Sequence, residues 1–195
     1  MISIGPIGRL ERAGRWLQRQ RRIASGLMPV ALLALVWLAR EPSVSLAGCA
    51  LGTVTLCAGE SLRIWAAGHM GTKREELTVT GPYAHTRHPL YLGSLVAGVG
   101  FCAASGVWWS LLLVAGLFPL FYFPAIIREE RILASRHGER YEDYRRRVPA
   151  LWWKMAAYAA GKRFSLAQAM RHKEHHVALQ LAALLMLFWL RLALA

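Results

Sequence analysis

Acidic side chains are scarce in this chain: 11 Asp and Glu stand against 24 Lys and Arg, for a formal net charge of +13. Charge of either sign is thin as well, at 18% of residues against 55% hydrophobic, which excludes an ordinary soluble domain. Cysteine is almost missing. Cys49, Cys57 and Cys102 each sit inside apolar runs, with neither metal-ligand spacing nor a disulfide framework, so buried free thiols are expected. No internal repeat and no low-complexity linker divides the chain, which points to one membrane domain. No nucleic-acid recognition motif accompanies the positive charge, so the sequence argues against a nucleic-acid partner.

What the chain does have is long apolar runs. Segments 23–39, 44–70, 89–104, 107–127 and 177–195 approach or exceed the length that spans a bilayer. The expected architecture is therefore all-α: a polytopic membrane bundle of about five transmembrane helices. The weakest span is 89–104, which is short and glycine-rich and is expected to pack inside the bundle. Basic residues fall in three blocks, 1–22, 68–88 and 128–176, and alternating five spans puts all three on one side. The positive-inside rule makes that side cytoplasmic, with the N-terminus inside and the C-terminus outside. The excess charge then serves topology and attraction to anionic lipid headgroups. The host membrane would be the cytoplasmic membrane of a prokaryote or the endoplasmic reticulum of a eukaryote.

Residues 1–22 place Ile4, Ile7, Leu10, Gly14 and Leu17 at helical spacing with arginines on the other faces. That pattern predicts an interfacial amphipathic helix leading into a retained span rather than a cleaved leader. The core, 23–176, follows, and 177–195 is a terminal span. His172, Glu174, His175 and His176 look superficially like a metal cluster, but a basic interfacial segment before a span accounts for them, and no metal is assigned.

Two polar knots carry the chemistry. The first is Gly81-Pro82-Tyr83-Ala84-His85-Thr86-Arg87-His88-Pro89-Leu90-Tyr91-Leu92-Gly93; the second is Arg128-Glu129-Glu130-Arg131. Polar, aromatic and basic residues concentrated at a membrane boundary usually serve a polar ligand. A turn at Ser105-Gly106 folds the intervening spans into a hairpin, which brings the two knots together at one cytoplasmic mouth. Pro89 suits the first turn of a helix, and Glu76 to Thr80 reads as extended or loop. Beyond the second knot, Gly138 and Pro149 bound two short cytoplasmic helices lying against the membrane, which form either a lid folded back over the mouth or a solvated basic segment with no lid role. Trp152 and Trp153 mark the membrane interface.

These two motifs, followed by Leu133, Gly138, Tyr141, Tyr144 and Val148-Pro149, strongly resemble the isoprenylcysteine carboxyl methyltransferase family, a group that includes the related phospholipid N-methyltransferases. The resemblance covers roughly 75–150. It implies S-adenosylmethionine bound at the cytoplasmic mouth, S-adenosylhomocysteine as product, and a lipid-borne or membrane-soluble acceptor. By the same resemblance Glu129 pairs with the cofactor ammonium, and Glu130 supports it or orients a neighbour. Tyr83, His88, Pro89, Leu90 and Tyr91 match cofactor-contact positions, and the region just upstream maps onto Glu75 to Thr78, with Thr78 as its candidate. Tyr83 or Tyr91 is placed to stack on adenine, while Arg87 is placed to hold the carboxylate. Arg87, His88 and Glu130 are the candidate catalytic residues. Methyl transfer needs positioning and exclusion of water more than side-chain chemistry, and the possible bases, His85, His88 and Glu130, are not ranked by sequence.

One position departs from the family. Members that methylate a prenylcysteine carboxylate carry an arginine about one turn before the glutamate, and here Ala125 stands there. That places the carboxylate substrate in doubt, but not the cofactor. Glu60 and Arg63, one turn apart, form either a polar substrate path or a self-neutralised pair. Two other classes compete with this reading: a sterol-type membrane reductase using a nicotinamide cofactor, and a non-catalytic scaffold for anionic lipid. The first lacks the larger bundle and the extra phosphate-binding basic residues, and the second leaves the paired motifs unexplained.

Overall fold

The computed structural model describes residues 45–71, 76–159, 161 and 164–171, together with 179, 182, 183 and 186. The expected amphipathic helix at 1–22, the first span and most of the terminal span lie outside the described residues. Among the described residues the secondary structure is entirely helical: α1 (Leu46–His69), a 3-10 turn (Gly81–Ala84), α2 (Pro89–Ser105), α3 (Ser110–His137), α4 (Glu139–Arg147) and α5 (Leu166–Arg171).

α1 starts where the Ser45 hydroxyl accepts a hydrogen bond from the Gly48 N–H at 3.0 Å, satisfying one of the orphan donors of the first turn. α2 opens on Pro89 at the first helical position, where the missing N–H costs nothing. It closes on Gly106, whose φ of 68° gives the left-handed cap that turns the chain towards α3. The expected hairpin between the two knots is therefore present.

α1 and α2 approach backbone to backbone. A Cβ added at Gly52 would sit 2.1 Å from the Ala104 nitrogen, and one at Gly59 would sit 2.5 Å from the Ala97 nitrogen. Small residues are what allow such an approach, and close van der Waals packing is what holds helices together where lipid removes the hydrophobic drive. Glu60 and Arg63 are buried at this crossing, 3.5 Å apart, and an Arg63 Nη1 proton goes to the Ser94 hydroxyl on α2. The pair is thus locked into helix packing, as a self-neutralised pair would be. Cys49 and Cys102 are buried free thiols in the core, but Cys57 lies exposed on α1, contrary to the expectation of burial for all three.

α3 is 28 residues long and runs unbroken past Pro119 and Pro124. The sequence reading split this region into a span and a separate cytoplasmic helix. In the structure the charged knot and Ile132 and Leu133 simply continue the span, and the break comes only at Gly138, whose φ is 52°. Among the described helices α3 is the one long and apolar enough to cross a membrane. α1 has the length but carries Glu60 and Arg63, and α2 is apolar but only 17 residues long.

Two cores divide the labour. One joins α1, α2 and α3 through Leu56, Tyr91, Phe101, Val114, Phe118 and Tyr122. The other packs Tyr141 and Tyr144 of α4, with Val148, against Leu77 of the segment before the first knot. The second core fastens α4 to the segment before the first knot.

Candidate active site

The 3-10 turn starts at Gly81, where φ is 62° and an added Cβ would meet the His69 ring 2.4 Å away, so only glycine fits. From there the chain runs through Arg87 and His88 into α2, whose first turn faces the charged C-terminal part of α3. The knots meet there. Arg87 Nη1 lies 3.1 Å from Oε1 of Glu130, and His88 Nε2 lies 3.2 Å from the same oxygen. Arg145 of α4 approaches the other oxygen, its Nε 3.9 Å from Oε2. Burial pushes the Glu130 carboxyl up, but the His88 hydrogen bond and the charges of Arg87, His88 and Arg145 outweigh it and hold the group below the usual carboxylate range.

Glu129 is different. The Tyr91 hydroxyl donates to its Oε2 at 3.0 Å, and His88 Nδ1 is 3.9 Å from that oxygen, yet its side chain keeps 41% of its surface exposed. The neighbouring carboxylates therefore do unlike things: Glu130 is consumed by internal cations, and Glu129 is presented outward with one orienting donor. The Tyr91 ring lies 5.7 Å from His88 and 5.3 Å from Tyr122, which fixes its hydroxyl towards Glu129.

The other sequence candidates are distributed around this centre. Pro89 and Leu90 are buried in the first turn of α2 and set its start. Tyr83 is half-buried, and its carbonyl accepts from the Tyr144 hydroxyl at 2.7 Å. The Thr78 hydroxyl accepts from the Gly71 N–H at 3.2 Å, a contact with the end of α1 and not with the carboxylates. His85 is turned elsewhere: it stacks on Trp153 with ring centroids 4.6 Å apart, and its Nδ1 lies 2.7 Å from the Lys154 carbonyl.

Sequence reasoning missed the segment that fastens this loop. Residues 149–158 run alongside the first knot: the Arg87 and His88 N–H groups donate to the Pro149 and Ala150 carbonyls at 2.8 and 3.1 Å. The Lys154 and Tyr158 N–H groups donate back to His85 and Ala84 at 3.0 and 2.9 Å, and the Thr86 hydroxyl donates to Ala150 at 2.9 Å. Only the Trp152-Trp153 pair hinted at this strap, and it read as a membrane mark. The face of α4 carrying Tyr141, Tyr144 and Arg145 was also missed as part of the site, although spacings of three and four residues put them on one side of a helix. Among the described residues no group of His, Cys, Asp or Glu is arranged to hold a metal ion.

An outward carboxylate beside buried cations suits a ligand that is itself zwitterionic. Comparison with known sequences gives that geometry a lineage. The family model for phospholipid methyltransferase matches residues 46–140. The nickel-cobalt-cadmium resistance protein NccN of Alcaligenes xylosoxydans xylosoxydans is 39% identical over 97 residues, which are 49% of this chain and 45% of that protein. The protein-S-isoprenylcysteine O-methyltransferase of Schizosaccharomyces pombe is 34% identical over 106 residues, 49% of this chain and 45% of that one. A methanethiol S-methyltransferase of Crocosphaera subtropica is 38% identical over 69 residues, 35% of this chain and 26% of that one. This chain thus spans about half the length, or less, of the curated relatives it matches. No solved structure matches it. The stretch matched by the phospholipid methyltransferase family model, residues 46–140, holds Arg87, His88, Tyr91, Glu129 and Glu130.

Proposed function

We propose that this protein transfers a methyl group from S-adenosylmethionine to a lipid-borne or membrane-soluble acceptor at the cytoplasmic face of a membrane, releasing S-adenosylhomocysteine. The observation that carries the reading is the contrast between Glu129, exposed and oriented by Tyr91, and Glu130, neutralised by Arg87 and His88. The amino-acid end of the methyl donor needs an acceptor for its ammonium and donors for its carboxylate. Glu129 offers the first. Arg87 offers the second, since its Nε is buried without a hydrogen-bond partner. The residues therefore fit the cofactor.

When bound, the cofactor supplies a methyl group on a sulfonium that is an excellent leaving group. The protein's part is to hold it and keep water out. Glu129, Tyr91 and His88 grip one end, while Tyr83 at the mouth suits an adenine face. Pro89 and Leu90 supply the apolar first turn of α2, and Thr78 belongs to the wall upstream. Glu130 acts best as the residue that aligns Arg87 and His88, because a carboxylate held below its usual range by cations is a weak base. The position where a carboxylate-methylating member has arginine is Ala125, buried in α3, which supports a thiol or amine acceptor over a carboxylate. A named methanethiol methyltransferase among the relatives agrees with that choice. The five-span topology, with 1–22 at the interface, 177–195 as a terminal span and basic blocks against anionic headgroups, belongs to the same reading. No observation favours a nicotinamide-dependent reductase or a lipid scaffold.

Calorimetric titration of S-adenosylhomocysteine into the protein in detergent tests the proposal. Saturable binding that disappears in Glu129→Ala is the expected result. A folded wild type that takes up no ligand would sink it.

A further inference from the structure

Tyr141 is 1% exposed, and its hydroxyl is buried without a hydrogen-bond partner. Its neighbour on the same face of α4, four residues on, is Arg145, which reaches Glu130; Tyr144, three residues on, reaches the Tyr83 carbonyl. The ring packs in the second core, on the α4 face whose neighbours reach both knots. An unsatisfied buried hydroxyl costs stability and calls for a reason. The Arg87 Nε is buried and equally unpartnered, and its Nη1, in an ion pair with Glu130 at 3.1 Å, makes no hydrogen bond either. Both unused groups are donors, so what they await is an acceptor. The charges of Glu130, Glu129, Arg87 and Arg145 all act on the Tyr141 phenol.

We propose that Tyr141 is a further ligand-contacting residue, whose hydroxyl joins the Nε of Arg87 in receiving the carboxylate of the methyl donor's amino-acid end. This rests on the cofactor reading above and adds to it a second donor, carried by α4. The ammonium on the same carbon then falls to Glu129, the adjacent outward carboxylate. Burial, with the charge of Glu130, pushes the Tyr141 phenol up to about 12 against the opposing effect of Arg87 and Arg145, so the group stays a donor throughout the neutral range. α4 thereby has a task in binding that its distance from both knots in sequence conceals.

The test is Tyr141→Phe, titrated with S-adenosylhomocysteine and with its analogue in which hydrogen replaces the carboxylate. Because the hydroxyl has no partner in the protein, its loss should leave the thermal midpoint unchanged or raised. Affinity for S-adenosylhomocysteine should fall roughly tenfold to a hundredfold, as for a hydrogen bond to a charged group, and affinity for the decarboxylated analogue should not change. Equal weakening towards both ligands would mean a merely structural role, and wild-type affinity for both would remove Tyr141 from the site while leaving the cofactor reading intact. A wild type that binds neither ligand would overturn both proposals together.

Discussion

The Tyr144 hydroxyl donates to the Tyr83 carbonyl at 2.7 Å and so joins positions 61 residues apart, one on α4 and one in the turn that opens the first knot. It ties α4 directly to the loop of the first knot. Burial raises the Tyr144 phenol above its ordinary value, against the Arg87 charge, and keeps it a donor at neutral pH. Tyr144→Phe keeps the ring in the second core but leaves the carbonyl without this partner. A loss of about 1–3 kcal/mol is expected from denaturant unfolding in detergent. A change within error would mean that the second core alone seats α4.

The α1–α2 crossing predicts a sharp ranking of glycine substitutions. Gly52→Ala and Gly100→Ala drive a methyl to within 2.1 Å of the Ala104 nitrogen and 2.3 Å of the Leu56 nitrogen, and both obstacles are backbone. Neither can rotate aside, so each should cost about 3 kcal/mol or more, the upper end for overpacking. Gly116 on α3 has nothing within 4 Å of an added Cβ. There alanine should be neutral or raise the melting temperature, since it is the better helix former. Similar gains at all three positions would show that helix propensity, and not the crossing, decides.

Much of this was legible in the sequence, and the reasons are local. Apolar runs bounded by Pro89, Gly106 and Gly138 predict α2, α3 and the break between α3 and α4, because each terminator acts on its own neighbours. The meeting of Arg87 and His88 with Glu130 followed from a hairpin, which needs only a turn and two comparable lengths. The 149–158 strap was not legible. Its bonds to 84–88 are backbone pairings between loops, and loop pairing leaves no periodicity to read. Glu129 and Glu130 were told apart in the sequence only by the family resemblance: adjacent residues on a helix differ in what faces them, and that depends on α4 being folded back.

Glu130 gives a pH signature of known sign. Its carboxyl ordinarily titrates near 4.5 and is held lower in the folded protein. A depressed carboxylate contributes stability that is fully present above its unfolded value and is lost as pH falls through the folded one. Wild-type stability should therefore fall as pH drops below about 4.5, more steeply than in Glu130→Gln. Near neutrality the variant should be the less stable protein, because Arg87 and His88 lose their shared anion. Parallel acid limbs for the two proteins would place the acid-sensitive group elsewhere.

The Glu60–Arg63 pair links helix packing to the site. Both side chains are less than a tenth exposed, at 9% and 6%, so solvent screens their attraction little. Arg63 donates to the Ser94 hydroxyl, and that hydroxyl donates to the Leu90 carbonyl at 3.0 Å, in the turn that carries Tyr91. Arg63→Met alone leaves Glu60 charged in a dry crossing and should cost about 3–5 kcal/mol. Adding Glu60→Met removes that stranded charge, and the double variant should recover part of the loss. The coupling energy from the four-protein cycle is the quantity to measure. A strong coupling would show that the charges are tolerated at the crossing only as a pair. Strict additivity would show that each is solvated by other groups. The same variants report on the mouth: if the Ser94 relay steadies the first turn of α2, Arg63→Met should weaken S-adenosylhomocysteine binding even where the protein remains folded, through the Tyr91 hydroxyl that orients Glu129.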